Sequence, residues 1–124
     1  MEFNFRKLNV YNNSLDLVEL VYELVGHFPK EEKYALSDQI RRAVVSVPSN
    51  IVEGVGRAND KEKAHFMSIA YSSLMDTLCQ MEIAYRVKYI NEDELNKVEE
   101  RIETLAKMIS GLRYSFVKSL NSKL

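Results

Sequence analysis

The chain has little with which to build covalent or metal chemistry. A single cysteine, Cys79, in 124 residues permits no internal disulfide and no thiolate metal cage, and a reducing cytoplasm is the setting this implies. Two prolines and four glycines, with no internal repeat or low-complexity tract, argue against a flexible linker or a disordered domain. Neither sign of charge prevails, because 17 Lys and Arg stand against 18 Asp and Glu for a formal charge of -1. No global field draws in a polyanion, so any grip on nucleic acid has to come from a local patch. No apolar run approaches the roughly 20 residues that cross a bilayer, and the first residues scatter charges among their apolar side chains as a secretory leader does not. A soluble, single-domain chain with a real core is expected.

What the sequence does have is helical periodicity, organised around residues 36–57. Leu36, Ile40, Val44, Val47, Ile51 and Val55 repeat at three-and-four spacing, with the small residues Ala43 and Gly54 beside them. Pro48 lies inside this run. It cannot donate to the carbonyl of Val44 and its ring crowds that group, which in an ordinary helix costs about 3 kcal/mol or more. Because the pattern runs straight through, it predicts one helix kinked at Pro48.

The rest follows the same period. Leu17, Val21, Leu24 and Phe28, with Val18 and Val25 alongside, form a stripe closed by Gly26 and Pro29. Before it, Phe3, Phe5, Leu8, Val10 and Tyr11 make an apolar arm that has to pack on its own bundle or on a neighbour. Asn59 with Glu62, and Asn91 with Glu94, are capping-box pairs that open two further helices. In the third, Phe66, Ile69, Ala70, Leu74, Leu78, Met81 and Tyr85 are expected to face the core. Met67, Tyr71, Met75, Ile83 and Val87 spread beyond that stripe and favour burial against another subunit. Leu95, Val98, Ile102, Leu105, Ile109, Leu112 and Phe116 make the most regular stripe of all. The fold expected is all-α, an up-down-up-down antiparallel four-helix bundle, with helices over about 10–27, 36–56, 60–89 and 92–121 of one domain spanning 1–124.

Candidate chemistry is sparse. Glu62 and His65 have the Glu-x-x-His spacing of a dimetal bundle site, but no second pair exists and His27 lacks a glutamate three residues before it. Cys79 reads as a packed thiol on an apolar helix face rather than a nucleophile. Gly54 and Gly56 follow a helix, so they mark a helix end and a close contact rather than a phosphate loop. Ser46, Asn50 and Glu53 recur on one side of the helix around Pro48. They either satisfy the carbonyls that the proline leaves open and bond to a neighbouring helix, or join Gln39, Arg41, Arg42 and Arg57 in a polar binding face. Asp38 with Arg42 and Glu53 with Arg57 are also i,i+4 ion pairs. Beyond Glu103 the charges are all basic, at Lys107, Arg113, Lys118 and Lys123, which either complements a helix dipole or provides a phosphate-contacting rim.

The residues Gln39, Arg41, Arg42, Ala43, Ser46, Val47, Pro48, Ser49, Asn50, Ile51, Glu53, Gly54 and Arg57 resemble the signature of the bacterial four-helix-bundle proteins encoded in intervening sequences of 23S ribosomal RNA genes. That family includes the accessory variability determinant of diversity-generating retroelements. The resemblance extends to Phe28 and Pro29, to Phe66, Ile69 and Ala70, and to Leu112. It departs at Ser72, Ser73, Asp76 and Cys79, where the family usually has Gly-Ser followed by Glu and Thr. The resemblance implies a ring-like homopentamer with no established catalysis, no cofactor, and a link to nucleic acid. The expected function is a non-catalytic homo-oligomeric scaffold or accessory protein that binds structured RNA, or a nucleic-acid-processing protein, through Arg41, Arg42, Arg57, Lys107, Arg113 and Lys118, with Gln39, Ser46, Pro48, Asn50, Glu53 and Gly54 as structural signature. The alternatives are a protein–protein adaptor without nucleic acid and, remotely, a dimetal-carboxylate enzyme.

Overall fold

Two asparagines set the sharpest boundaries of the fold. Asn59 Oδ1 accepts the backbone N–H of Glu62 at 2.8 Å, and Asn91 Oδ1 accepts that of Glu94 at 2.8 Å. Glu94 completes a reciprocal box by accepting the N–H of Asn91 at 2.9 Å, whereas Glu62 returns no such bond. The computed structural model describes residues 2–122, so Lys123 lies outside the described residues. Four helices follow a short 3-10 turn at Asn4–Lys7: α1 (Asn9–Val25), α2 (Leu36–Val55), α3 (Asp60–Arg86) and α4 (Glu92–Ser122). A second 3-10 turn, Lys30–Glu32, joins α1 to α2. Among the described residues there is no strand, and no helix is long and apolar enough to cross a membrane.

Each helix packs on two others. The pairs α1–α2, α2–α3, α3–α4 and α4–α1 close a ring of four around one core, as short connections between antiparallel neighbours require. Ile40, Val44, Val47 and Ile51 of α2 are completely buried, as are Leu17 and Val21 of α1 and Val98 and Ile109 of α4. The helix α2 continues unbroken across Pro48, which is itself buried.

Three helix ends fall short of the sequence expectation, α2 by one residue, at Val55 rather than 56. The first helix stops at Val25 rather than 27, because Gly26, His27 and Phe28 tighten into a turn in which His27 and Phe28 donate to the carbonyls three residues back. The third stops at Arg86 rather than 89. Lys88 takes a left-handed conformation (φ 70°), its N–H reaches the carbonyl of Tyr85 at 3.0 Å, and the N–H of Tyr89 reaches that of Ala84 at 2.8 Å. This pair of bonds is a Schellman stop, built here on lysine in place of the usual glycine.

The rotation of α3 is the main correction to the sequence reading. Its buried residues are Ala64, Met67, Ala70, Leu74, Thr77, Met81 and Ala84, while Phe66, Ile69, Leu78 and Tyr85 are only half-buried. The helix lies between α2 and α4, and small side chains let it approach both. Cys79 follows from the same rotation. It is exposed rather than packed. The N-terminal arm folds onto its own chain, with Phe5 set edge-on to Tyr11 at 5.0 Å and Leu8 against the core, although Phe3 stays 45% exposed.

Candidate functional site

Pro48 deprives α2 of one internal bond, and polar side chains gather one turn to either side of it. Asn50 donates through Nδ2 to the Ser46 carbonyl at 2.8 Å and to Ser46 Oγ at 2.9 Å. Ser46 Oγ shares a 2.8 Å bond with Ser73 Oγ on α3, and Thr77 donates to the Ser73 carbonyl at 2.9 Å. The brace therefore crosses from α2 to α3 and sets their relative height. Glu53 takes no part. It is exposed and accepts from Arg57 Nη2 at 3.0 Å, so the brace holds two of the three side chains that the sequence grouped. Gly54 marks a close approach of the two helices, since a Cβ placed there would lie 2.6 Å from Met67 Cε and 2.9 Å from Phe66 Cβ. Gln39 is exposed near the start of α2.

The six basic candidates do not form one patch. Arg41 and Arg42 lie near the start of α2, beside the end of α1, whereas Arg57, Arg113 and Lys118 lie at the opposite end of the bundle. Thirteen residues separate Arg42 from Val55, which at 1.5 Å per residue is about 20 Å. Lys107 lies between them on α4, exposed and 3.3 Å from Glu103, so its charge is offset where it stands. Arg42 is likewise 3.8 Å from Asp38. Exposed i,i+4 pairs of this kind contribute only about 0.3–0.5 kcal/mol, which makes them easy for a ligand to exchange.

The end formed by the last turn of α2, the first turns of α3 and the last turns of α4 has a different character. The Arg57 guanidinium lies over the Phe66 ring at 4.7 Å, and Lys63 Nζ over the Phe116 ring at 5.6 Å. Arg113 donates through Nε to Ser68 Oγ at 2.7 Å, while the Ser68 hydroxyl donates to the Ala64 carbonyl at 3.3 Å. Ser68 thereby steers Arg113 without neutralising it, and Arg113 joins no ion pair among the described residues. A groove of about 330 Å³ opens beside it, lined by the hydroxyl-bearing Tyr71, Ser72 and Ser110. Three cations therefore lie at this end, Arg57 in the turn after α2, Lys63 on α3 and Arg113 on α4; Arg57 is paired with Glu53, whereas the aromatic and hydroxyl contacts of Lys63 and Arg113 leave ammonium and guanidinium donors available. Lys63 is absent from the candidates read off the sequence, and it enters only because α4 returns to lay Phe116 beneath it. Lys118 is exposed on the same end of α4. Glu62 and His65 are both exposed, and no group of three His, Cys, Asp or Glu side chains among the described residues is placed to hold a metal.

Residues 6–111 match the model of a protein family described as 23S rRNA-intervening sequence protein. A solved structure of a protein of unknown function from the S23 ribosomal protein family of Bacteroides thetaiotaomicron VPI-5482 is similar, with a TM-score of 0.77 over 84% of this chain and 97% of that one. At 21% identity the likeness speaks for the fold. No curated protein matches the chain.

Proposed function

The chain belongs to the 23S rRNA-intervening sequence protein family, and from that premise we propose that it is a non-catalytic, homo-oligomeric scaffold or accessory protein that grips structured RNA or a nucleoprotein through repeated basic patches. The observation that carries this reading is the set of Arg57, Lys63 and Arg113, brought to one end of the bundle from the α2–α3 turn, α3 and α4, with Arg113 held by a hydroxyl rather than a carboxylate. One such cluster on a chain of net charge -1 is a weak polyanion site. Repeated around a ring, it becomes multivalent, and each extra phosphate contact adds to affinity while steepening its salt dependence. A homopentamer is the assembly proposed, in line with the resemblance to the accessory variability determinant of diversity-generating retroelements, and a reducing cytoplasm is its proposed setting.

Exposed apolar residues support self-association. Ile83 on α3 and Val87 just past its end are 46% and 49% exposed, and Tyr114 on α4 is 65% exposed. A second reading, a protein–protein adaptor without RNA, draws on an apolar groove of about 400 Å³ between the N-terminal arm and the ends of α2 and α4, lined by Phe3, Phe5, Val52, Val55, Leu112 and Phe116.

A gel-shift titration with structured RNA at 50 and 200 mM salt tests the first reading. Affinity is expected to fall by an order of magnitude or more over that range, and Arg113→Gln is expected to weaken binding while leaving the melting temperature unchanged. Binding indifferent to salt removes the electrostatic mechanism. A pull-down that captures a protein partner from nuclease-treated extract, with no RNA shift, favours the adaptor. Stoichiometric iron, manganese or zinc in protein purified without added metal would revive the dimetal enzyme.

A further inference from the structure

We propose that the cavity between the carboxyl end of α1 and the first turns of α2 is a binding site for a phosphate group. It lies at the opposite end of the bundle from Arg57, Lys63 and Arg113 and does not depend on their role. Its volume is about 190 Å³, open to solvent on one side and large enough to admit a tetrahedral oxyanion. Lys30, Lys33, Ser37 and Arg41 supply its polar lining, and Val25 and Phe28 are apolar residues of its wall.

Three independent features converge there. Three cationic side chains line the cavity and no carboxylate does. None of the three takes part in an ion pair among the described residues; Lys33 and Arg41 lie instead over the rings of Tyr34 and Tyr22, at 5.3 and 5.5 Å. In a chain with slightly more acids than bases, three uncompensated cations around one cavity mark a place where negative charge is wanted. Next, Ser37 is only 3% exposed, lines the cavity, and has no hydrogen-bond partner for its hydroxyl among the described residues. Its oxygen is not among the sealed-off unpaired atoms, so the hydroxyl opens to the cavity and is available there to an acceptor from outside the chain. Finally, α2 is 20 residues long and starts without a side-chain cap. Ser37 lies in its first turn, where free N–H groups and the positive end of the helix dipole favour an anion.

The donors are of several shapes, namely a planar guanidinium, two ammonium groups, a hydroxyl and backbone N–H. A phosphate, with acceptors pointing in several directions, suits them better than a flat carboxylate. Lys30 and Lys33 are exposed, so the remainder of a larger ligand can extend outward past Tyr34, which is 86% exposed. The phosphate can therefore belong to a small free compound or to a polynucleotide.

The test is an NMR titration of the full chain, at constant ionic strength set by chloride, with inorganic phosphate, with a short 5′-phosphorylated oligoribonucleotide, and with its 5′-hydroxyl counterpart. Saturable shifts of the Ser37 amide and its neighbours are expected, weakened about tenfold or more by Arg41→Gln and, for inorganic phosphate, untouched by Arg113→Gln. Shifts with inorganic phosphate assign the site to free phosphate compounds, and shifts with the oligonucleotides alone assign it to a polynucleotide; either result supports the proposal. No saturable shift at Ser37 with any of the three, or shifts that Arg41→Gln leaves intact, overturns it. Ser37→Ala provides a second check. Without phosphate it is expected to melt at or above the parent temperature, because its hydroxyl has no partner to lose, and with phosphate to lose part of the stabilisation. If instead Ser37→Ala or Lys33→Gln melts lower without phosphate and phosphate stabilises neither the parent nor the variants, the residues serve only to complete the fold and offset the negative end of α1, and the site is refuted.

Discussion

The two longest helices pack against each other yet bury opposite kinds of side chain. In α4 the buried residues are Leu95, Val98, Ile102, Leu105 and Ile109, all large and branched. In α3 four of the seven are Ala64, Ala70, Thr77 and Ala84, and much of its bulk, such as Ile69, Tyr71, Leu78, Ile83 and Tyr85, is held at the flanks or outside. The difference comes from position in the ring. α3 makes the most extensive contacts with both of its neighbours, whereas α4 meets α1 more sparsely. A helix pressed from two sides presents small residues so that backbones can approach, and one pressed mainly from a single side fills the remaining space with branched chains.

Opposite responses to a change in size should follow. Ile102→Ala in α4 is expected to cost about 2–5 kcal/mol by opening a cavity. Ala70→Leu in α3 is expected to cost about 1–3 kcal/mol by overfilling. Denaturant unfolding measures both, and an Ala70→Leu protein as stable as the parent would show that α3 has room to spare. Gly54→Ala probes the same closeness from the α2 side. Met67 Cε can swing away from the new methyl, but Phe66 Cβ at 2.9 Å cannot, so a loss of about 1–3 kcal/mol is expected. A smaller effect, of the opposite sign, belongs to the stop at the end of α3. Lys88→Gly relieves a left-handed lysine and is expected to raise stability by up to about 1 kcal/mol, less the entropy that glycine adds to the unfolded chain. Last, Ile83→Lys on the outer face of α3 should leave unfolding within about 0.5 kcal/mol per protomer. It should nonetheless lower the solution mass if that face joins protomers. An unchanged oligomer would move the contact to another surface.

The buried stripes of α1, α2 and α4 were legible from spacing alone, because on those helices the large apolar residues and the inward face coincide. On α3 they do not. Reading Phe66 and Ile69 as core and Met67 as surplus placed the helix about one residue out of register, and the residues that could have corrected this, the alanines, are too weakly hydrophobic to stand out in a pattern. The same rotation put Cys79 outside. The polar residues near Pro48 were recognisable as a group. That Asn50 and Ser46 would bond while Glu53 turned to Arg57 depended on Ser73, which α3 delivers from 27 residues away. The basic candidates suffered most. Sequence order placed Lys107, Arg113 and Lys118 together as one terminus, whereas Lys107 is paired with Glu103, and Arg113 bonds to Ser68 of α3.

Local chemistry by itself determined that this chain would be four helices, the last two opened by asparagine caps, with a proline carried inside the second, since periodicity, caps and i,i+4 charges act within a few residues of one another. Only the tertiary structure decided which face of α3 turned inward, which cations kept their charge free, and where Ser37, Lys33 and Arg41 would share a cavity. Those outcomes depend on how closely helices remote in sequence can approach, and that distance is a property of two surfaces together.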